Sequence, residues 1–137
     1  MQFSEKQSIS LVMELCPGSL EDVMQYCQRK RTTLPPLWKA TLFQQIARAV
    51  SILHQQNPSM AHGSLCPSNV LLTASLTPRL TDIGTASIER WLCERKYDGI
   101  FVAPEEQAVD AVSTTAGDVF SLGRLILYVR EEEECNE

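Results

Sequence analysis

The sequence is poor in the features that usually place a protein quickly. Its longest apolar run is Leu125 to Val129 in a chain of 137 residues, far short of the ~20 residues needed to span a bilayer. The stretch Met1-Gln2-Phe3-Ser4-Glu5-Lys6 has no apolar core and carries an acid, so no secretory signal is expected and a cytoplasmic location is. No Cys-x-x-Cys pair occurs among Cys16, Cys27, Cys66, Cys93 and Cys135, and the two histidines, His54 and His62, stand apart from any cysteine cluster. A zinc site is therefore not expected, and free thiols in a reducing compartment are. A basic surplus is also missing. Residues 1–130 hold 12 basic and 12 acidic groups, and the net charge of −5 comes from Glu131, Glu132, Glu133, Glu134 and Glu137. A neutral body with an acidic tip excludes nucleic acid and anionic membrane surfaces as partners recognised through bulk charge.

What is present is a globular composition, 44% hydrophobic and 21% charged, sufficient for one packed unit. Ile9 to Leu15 reads as a strand, broken at Cys16-Pro17-Gly18. Ser19 with Asp22 three residues on has the form of a capping box, opening a helix to about Lys30. Arg29-Lys30-Arg31 suits the solvated, negative end of that helix. Leu34-Pro35-Pro36 starts a new element, and Phe43, Ile46, Ala47, Val50 and Leu53 predict an amphipathic helix over Leu37 to Gln55, stopped by Asn57-Pro58. A loop from Ala61 to Asn69 leads into a strand at Val70-Leu71-Leu72. A polar turn and a returning strand, Arg79-Leu80-Thr81, complete a hairpin. Thr85 to Gly99 is irregular and charged, and Asp118 to Val129, apolar on nearly all sides, predicts a buried helix. The expected fold class is mainly α with a small β-hairpin.

Ordered motifs run through these elements. His62-Gly63-Ser64-Leu65-Cys66-Pro67-Ser68-Asn69 resembles the H-R-D-L-x-x-x-N catalytic loop of protein kinases. Asp82-Ile83-Gly84 resembles D-F-G, Ala103-Pro104-Glu105 matches A-P-E, and Asp118-Val119-Phe120-Ser121-Leu122-Gly123 resembles the start of the central helix of that family. Leu11 to Leu15 resembles its hinge strand. The resemblance covers about residues 8 to 130 and implies a partial kinase-like large lobe with a hinge strand over residues 1–130, followed by an acidic tail at 131–137. No G-x-G-x-x-G phosphate loop occurs in the sequence, and the resemblance places that loop, and its lysine strand, before residue 1. A narrower resemblance, carried by Glu14-Leu15-Cys16, Ser19-Leu20-Glu21-Asp22 and Gly123 to Val129, is to the kinase-like domains of the unfolded-protein-response sensor endoribonuclease and the latent ribonuclease.

The kinase resemblance assigns roles residue by residue. Ser64 stands at the position of the catalytic base and Cys66 at that of the loop lysine; Gly63 replaces the arginine that pairs with a phosphorylated activation loop, and Asp98 aligns with a substrate-facing threonine. A serine hydroxyl is no base near neutral pH without a base of its own, so phosphoryl transfer is not expected. Asn69 and Asp82 match the magnesium ligands, and oxygen donors suit that cation; both are equally explained as loop scaffolding. Glu14 and Cys16 would offer hinge backbone groups to the adenine of ATP, with Met13 as gatekeeper and Leu71 beneath the base, or all four are ordinary packing. The implied cofactor is ATP with magnesium, weakly held or absent. His62 would pack beneath Ile83, Asp118 would bind the loop backbone, Leu125 and Val129 would seat a hydrophobic spine, and Glu105, which in the family pairs with an arginine of later helices, is expected to lack that partner here. The leading expectation is a pseudokinase-like binding or regulatory module with a protein partner that is itself kinase-like. The alternatives are a fragment of a serine/threonine kinase whose small lobe lies elsewhere, and a truncated product without independent function.

Overall fold

Apolar side chains spaced for three helical faces and one short sheet collapse onto a single core. The computed structural model describes residues 12–85, 99–108 and 110–134. The elements are β1 (Gly18–Ser19), α1 (Leu20–Lys30), α2 (Pro36–His54), β2 (Val70–Leu72), β3 (Pro78–Leu80) and α3 (Thr115–Glu134), with 3-10 turns at Pro67–Asn69 and Pro104–Glu106. Among the described residues no helix is long and apolar enough to cross a membrane.

α1 starts where the sequence says it should. The Ser19 hydroxyl accepts from the Asp22 amide at 3.3 Å while Asp22 Oδ2 accepts from the Ser19 amide at 2.7 Å, which satisfies donors that the first helical turn leaves open. The helix ends on Arg31, left-handed at φ 49°, with the Thr32 amide donating back to the Cys27 carbonyl. Leu20, Met24 and Cys27 form its buried face. α2 begins with Pro36 at a position where no amide is needed. Its buried line is Leu42, Ile46 and Val50. The predicted face was centred slightly differently: Phe43 and Leu53 are half-buried and Ala47 is exposed, because the core lies on the line of residues four apart.

The predicted hairpin is present, with Val70 opposite Leu80 and Leu72 opposite Pro78. It gains a third antiparallel strand, β1, through Gly18 opposite Leu72 and Ser19 opposite Leu71. The expected strand from Ile9 to Leu15 needs correction. Residues 9–11 lie outside the described part, and Val12 to Leu15 form no strand. Val12 and Leu15 are 96% and 93% exposed. The ladder reaches only Gly18 and Ser19, so residues 12–15 have no strand to pair with among the described residues; Glu14 is held instead by its side chain, at 2.8 Å from Arg79 Nε.

α3 departs from a helix buried all round. Asp118, Ser121, Leu125 and Val129 are buried, whereas Val119, Phe120, Ile126 and Leu127 are exposed. One stripe faces the core and the opposite apolar stripe faces out. Leu20, Ile46, Leu65, Val70 and Leu125 are at the centre of the core, each fully buried aliphatic side chain contributing about 1.5–3 kcal/mol. Leu65 comes from the loop between α2 and β2, so the core itself holds the segment on which the motifs lie.

Candidate functional site

The loop of residues 61–69 is fastened from below by a carboxylate. Asp118, 1% exposed on α3, accepts the His62 amide at 2.7 Å on Oδ2 and the Gly63 amide at 2.8 Å on Oδ1. His54 Nε2, at the end of α2, is 2.8 Å from the same Oδ2. Three elements therefore meet on one buried acid: α2, the loop and α3. The expected role of Asp118 is present. His54 was not anticipated, since it is 64 residues from Asp118 in the chain and no local spacing links them.

Gly63 has φ 76°, a left-handed conformation that a glycine adopts without steric cost. Next to it Ser64 is 7% exposed. The Ser64 amide is 3.3 Å from His62 Nδ1, and its carbonyl accepts from Asn69 Nδ2 at 2.7 Å. Cys66 Sγ is 3.2 Å from the Ser68 hydroxyl. From Ala61 to Asn69 the loop holds no Asp, Glu, Lys or Arg. It is rigidly built and electrically empty.

The loop is tied to the Asp82-Ile83-Gly84 turn by two backbone bonds, Gly84 to the His62 carbonyl at 2.9 Å and Thr81 to the Asn69 carbonyl at 3.1 Å. These pair the segment of Asn69 with the one that carries Asp82. Asp82 is exposed and left-handed at φ 60°, a region that Asp tolerates better than most residues. Among the described residues its carboxylate has one long 3.4 Å approach, from the Thr81 hydroxyl, and Asn69 donates its nitrogen to the Ser64 carbonyl. An amide oxygen and a carboxylate are donor types that suit magnesium, which takes one or two protein ligands beside phosphate and water. Among the described residues no group of three or more His, Cys, Asp and Glu could hold a metal ion.

Of the residues expected near adenine, Leu71 is half-buried on the outward face of β2, opposite Arg79 of β3. Arg79 reaches Glu14, with both side chains about half exposed. Arg79 thus gathers Glu14 and Leu71 at one sheet face, and it too was missed in the sequence. Cys16 is half-buried and Met13 is exposed.

One expectation around the loop changes. Ile83 is 39% exposed, so it is not a fully buried spine residue. Leu125 and Val129 are buried as expected. Glu105 is exposed, and the buried acid of the Pro104–Glu106 turn is its neighbour Glu106, 4% exposed. Glu106 accepts the amide and hydroxyl of Thr114 at 2.8 and 2.7 Å. A Cβ at Gly117 would overlap the Glu106 carboxylate, so α3 starts with a glycine there. Asp98 lies outside the described residues.

A helix-buried aspartate holding an H-G-S loop, hydrogen-bonded to a D-I-G turn across a short hairpin, defines the large-lobe core of a protein kinase. The family model for the protein kinase domain matches residues 1–135, and the chain belongs to that family. It is 32% identical over 122 residues to interleukin-1 receptor-associated kinase 1 of Mus musculus, covering 80% of this chain and 17% of that protein. Serine/threonine-protein kinase hal4 of Schizosaccharomyces pombe is 30% identical over 128 residues, covering 87% of this chain and 19% of hal4. Receptor-interacting serine/threonine-protein kinase 3 of Rattus norvegicus is 30% identical over 127 residues, covering 86% and 26%. The chain therefore spans about a quarter or less of the length of these relatives.

Proposed function

We propose that this chain is a non-catalytic, kinase-like binding module of a cytoplasmic protein, whose partner is a protein and itself kinase-like. The observation that carries the reading is Ser64. It occupies the position of the catalytic base, is buried at 7% exposure, and belongs to a loop with no charged side chain. A serine hydroxyl accepts no substrate proton near neutral pH without a base of its own, His62 is fully buried with Nδ1 facing the Ser64 amide, and Cys66 supplies no positive charge for a moving phosphoryl group. Asp118 offers no substitute, because its two oxygens already serve His62, Gly63 and His54. Asn69 and Asp82 would hold magnesium, which when bound neutralises phosphate charge; the residues of this chain then only bind nucleotide.

A second reading has its own support. The names of two relatives contain serine/threonine-protein kinase, and both magnesium-ligand positions keep oxygen donors, so the chain can equally be a piece of a phosphoryl-transferring kinase. Transfer of radiolabelled phosphate from ATP to a generic protein substrate separates the two. No transfer above that of Ser64→Ala is expected, and transfer above it overturns the binding-module reading. Nucleotide binding is read from melting with Mg-ATP: saturation at ~100 times Kd adds about 2.7 kcal/mol, which Asp82→Asn should abolish. Absence of a shift at millimolar ATP would leave Asn69 and Asp82 as scaffolding.

A further inference from the structure

The apolar stripe that α3 turns outward has a centre. Val119 and Leu127 lie four residues before and after Gly123, Phe120 and Ile126 three before and after, and Ala116 and Arg130 seven before and after. All seven residues are exposed. They recur at the spacing of one helical face, and Val119 with Ile126 and Phe120 with Leu127 are seven apart, as in a helix seam. The apolar part of the stripe therefore reads alike in both directions from Gly123. A surface of that kind is complementary to itself when two copies meet about a two-fold axis. Nothing in the described residues requires a glycine at this centre. Gly123 sits inside a helix, where glycine is the poorest former after proline, its φ is not left-handed, and a Cβ built there meets nothing within 4 Å. Gly117 is the contrast, since Glu106 fills its space. What Gly123 provides is a bare spot on which a second helix can approach closely.

Charge fixes the direction of the pairing. Two parallel copies of α3 would bring Arg130 to Arg130 and set the two acidic ends, Glu131 to Glu134, side by side, a like-charge arrangement that repels. An antiparallel pair about Gly123 sets Arg130 opposite Ala116 and Glu131 opposite Thr115, the first residue of α3. Each acidic end then lies beside the positive, N-terminal end of the other helix. We infer that α3 is the contact between two copies of this chain, packed antiparallel and crossing at Gly123, with Val119 and Phe120 of one copy against Leu127 and Ile126 of the other. The inference rests on the binding-module reading only in making its kinase-like partner a second copy. Its assay contains no nucleotide or phosphoryl acceptor, so either reading can fail without the other.

The test is sedimentation velocity of the full 137-residue chain over a concentration series, joined to cysteine cross-linking. A discrete dimer that grows no further is expected, because a two-fold contact closes at two copies. Gly123→Glu sets two like charges at the crossing and should weaken association at least about tenfold, the equivalent of ~1.4 kcal/mol. The same variant should melt no lower when dilute, since the site is open and glutamate is the better helix former. Under mild oxidation, a mixture of Val119→Cys and Leu127→Cys chains should give the 119–127 disulfide, identified by peptide mass spectrometry, in clear excess over 119–119 and 127–127. A monomer at every concentration, the result if another stretch of this chain covers the stripe, would overturn the proposal. So would open aggregates in place of a dimer, undiminished association of Gly123→Glu, or 119–119 linkage at the level of 119–127.

Discussion

At the scale of single residues, the most legible feature is the capping box. Ser19 and Asp22 are three apart, and their geometry depends on nothing beyond one turn, so spacing alone located it. Ser19→Ala is expected to cost about 0.5–2 kcal/mol, read from thermal or urea unfolding. The Ser19 bonds also lower the Asp22 pKa from 3.8. A carboxyl with a depressed folded pKa adds stability above its unfolded value and loses it as pH falls through the lowered folded one. Stability of the wild type should therefore fall more steeply than that of Ser19→Ala below pH 3.8; parallel acid limbs would show that the bond to Ser19 contributes nothing. The choice between Glu105 and Glu106 had no such local signal. Two adjacent acids in a 3-10 turn point in different directions, and only the position of Thr114 and Gly117 decides which is buried.

At the scale of elements, the helices were legible as helices and less so in their faces. In α3 the inward stripe includes Asp118 and Ser121, residues that an apolar pattern assigns to the outside, while Val119 and Phe120 face solvent. The stripe is set by what lies beneath. Asp118 goes inward because the His62 and Gly63 amides need an acceptor there, and Ser121 because its hydroxyl reaches the Phe101 carbonyl. Asp118→Ala would leave two loop amides unsatisfied at about 1–3 kcal/mol each, a large share of the ~5–15 kcal/mol typical of a domain. Hydrogen exchange at His62 and Gly63 is expected to accelerate strongly in this variant and less in His54→Gln, which keeps the acceptor. Equal protection in Asp118→Ala would refute this account of the loop.

At the scale of the whole molecule, the outward stripe of α3 is an apolar surface formed by one helix of the described residues. Val119, Phe120, Ile126 and Leu127 are 64%, 38%, 42% and 40% exposed along one helix, and monomers rarely present extended apolar patches of this kind. The 137-residue chain is expected to self-associate in sedimentation velocity, and the pair Val119→Lys and Leu127→Glu to shift it toward monomer. A monodisperse 15.3 kDa species with cooperative melting would contradict the expectation.

The sequence by itself determined the family and the chemistry of the loop, because motif order and residue type survive without knowledge of packing. Ser64 cannot be a base and Asn69 and Asp82 can be oxygen ligands wherever they lie. Tertiary structure alone decided that His54 and Asp118 share a hydrogen bond, that Arg79 reaches Glu14, that Ile83 is partly exposed and that Leu76 is held left-handed in the β2–β3 turn. Each of these depends on atoms distant in the chain or on a backbone angle that neighbours impose, and neither leaves a period or a spacing in the sequence to be read.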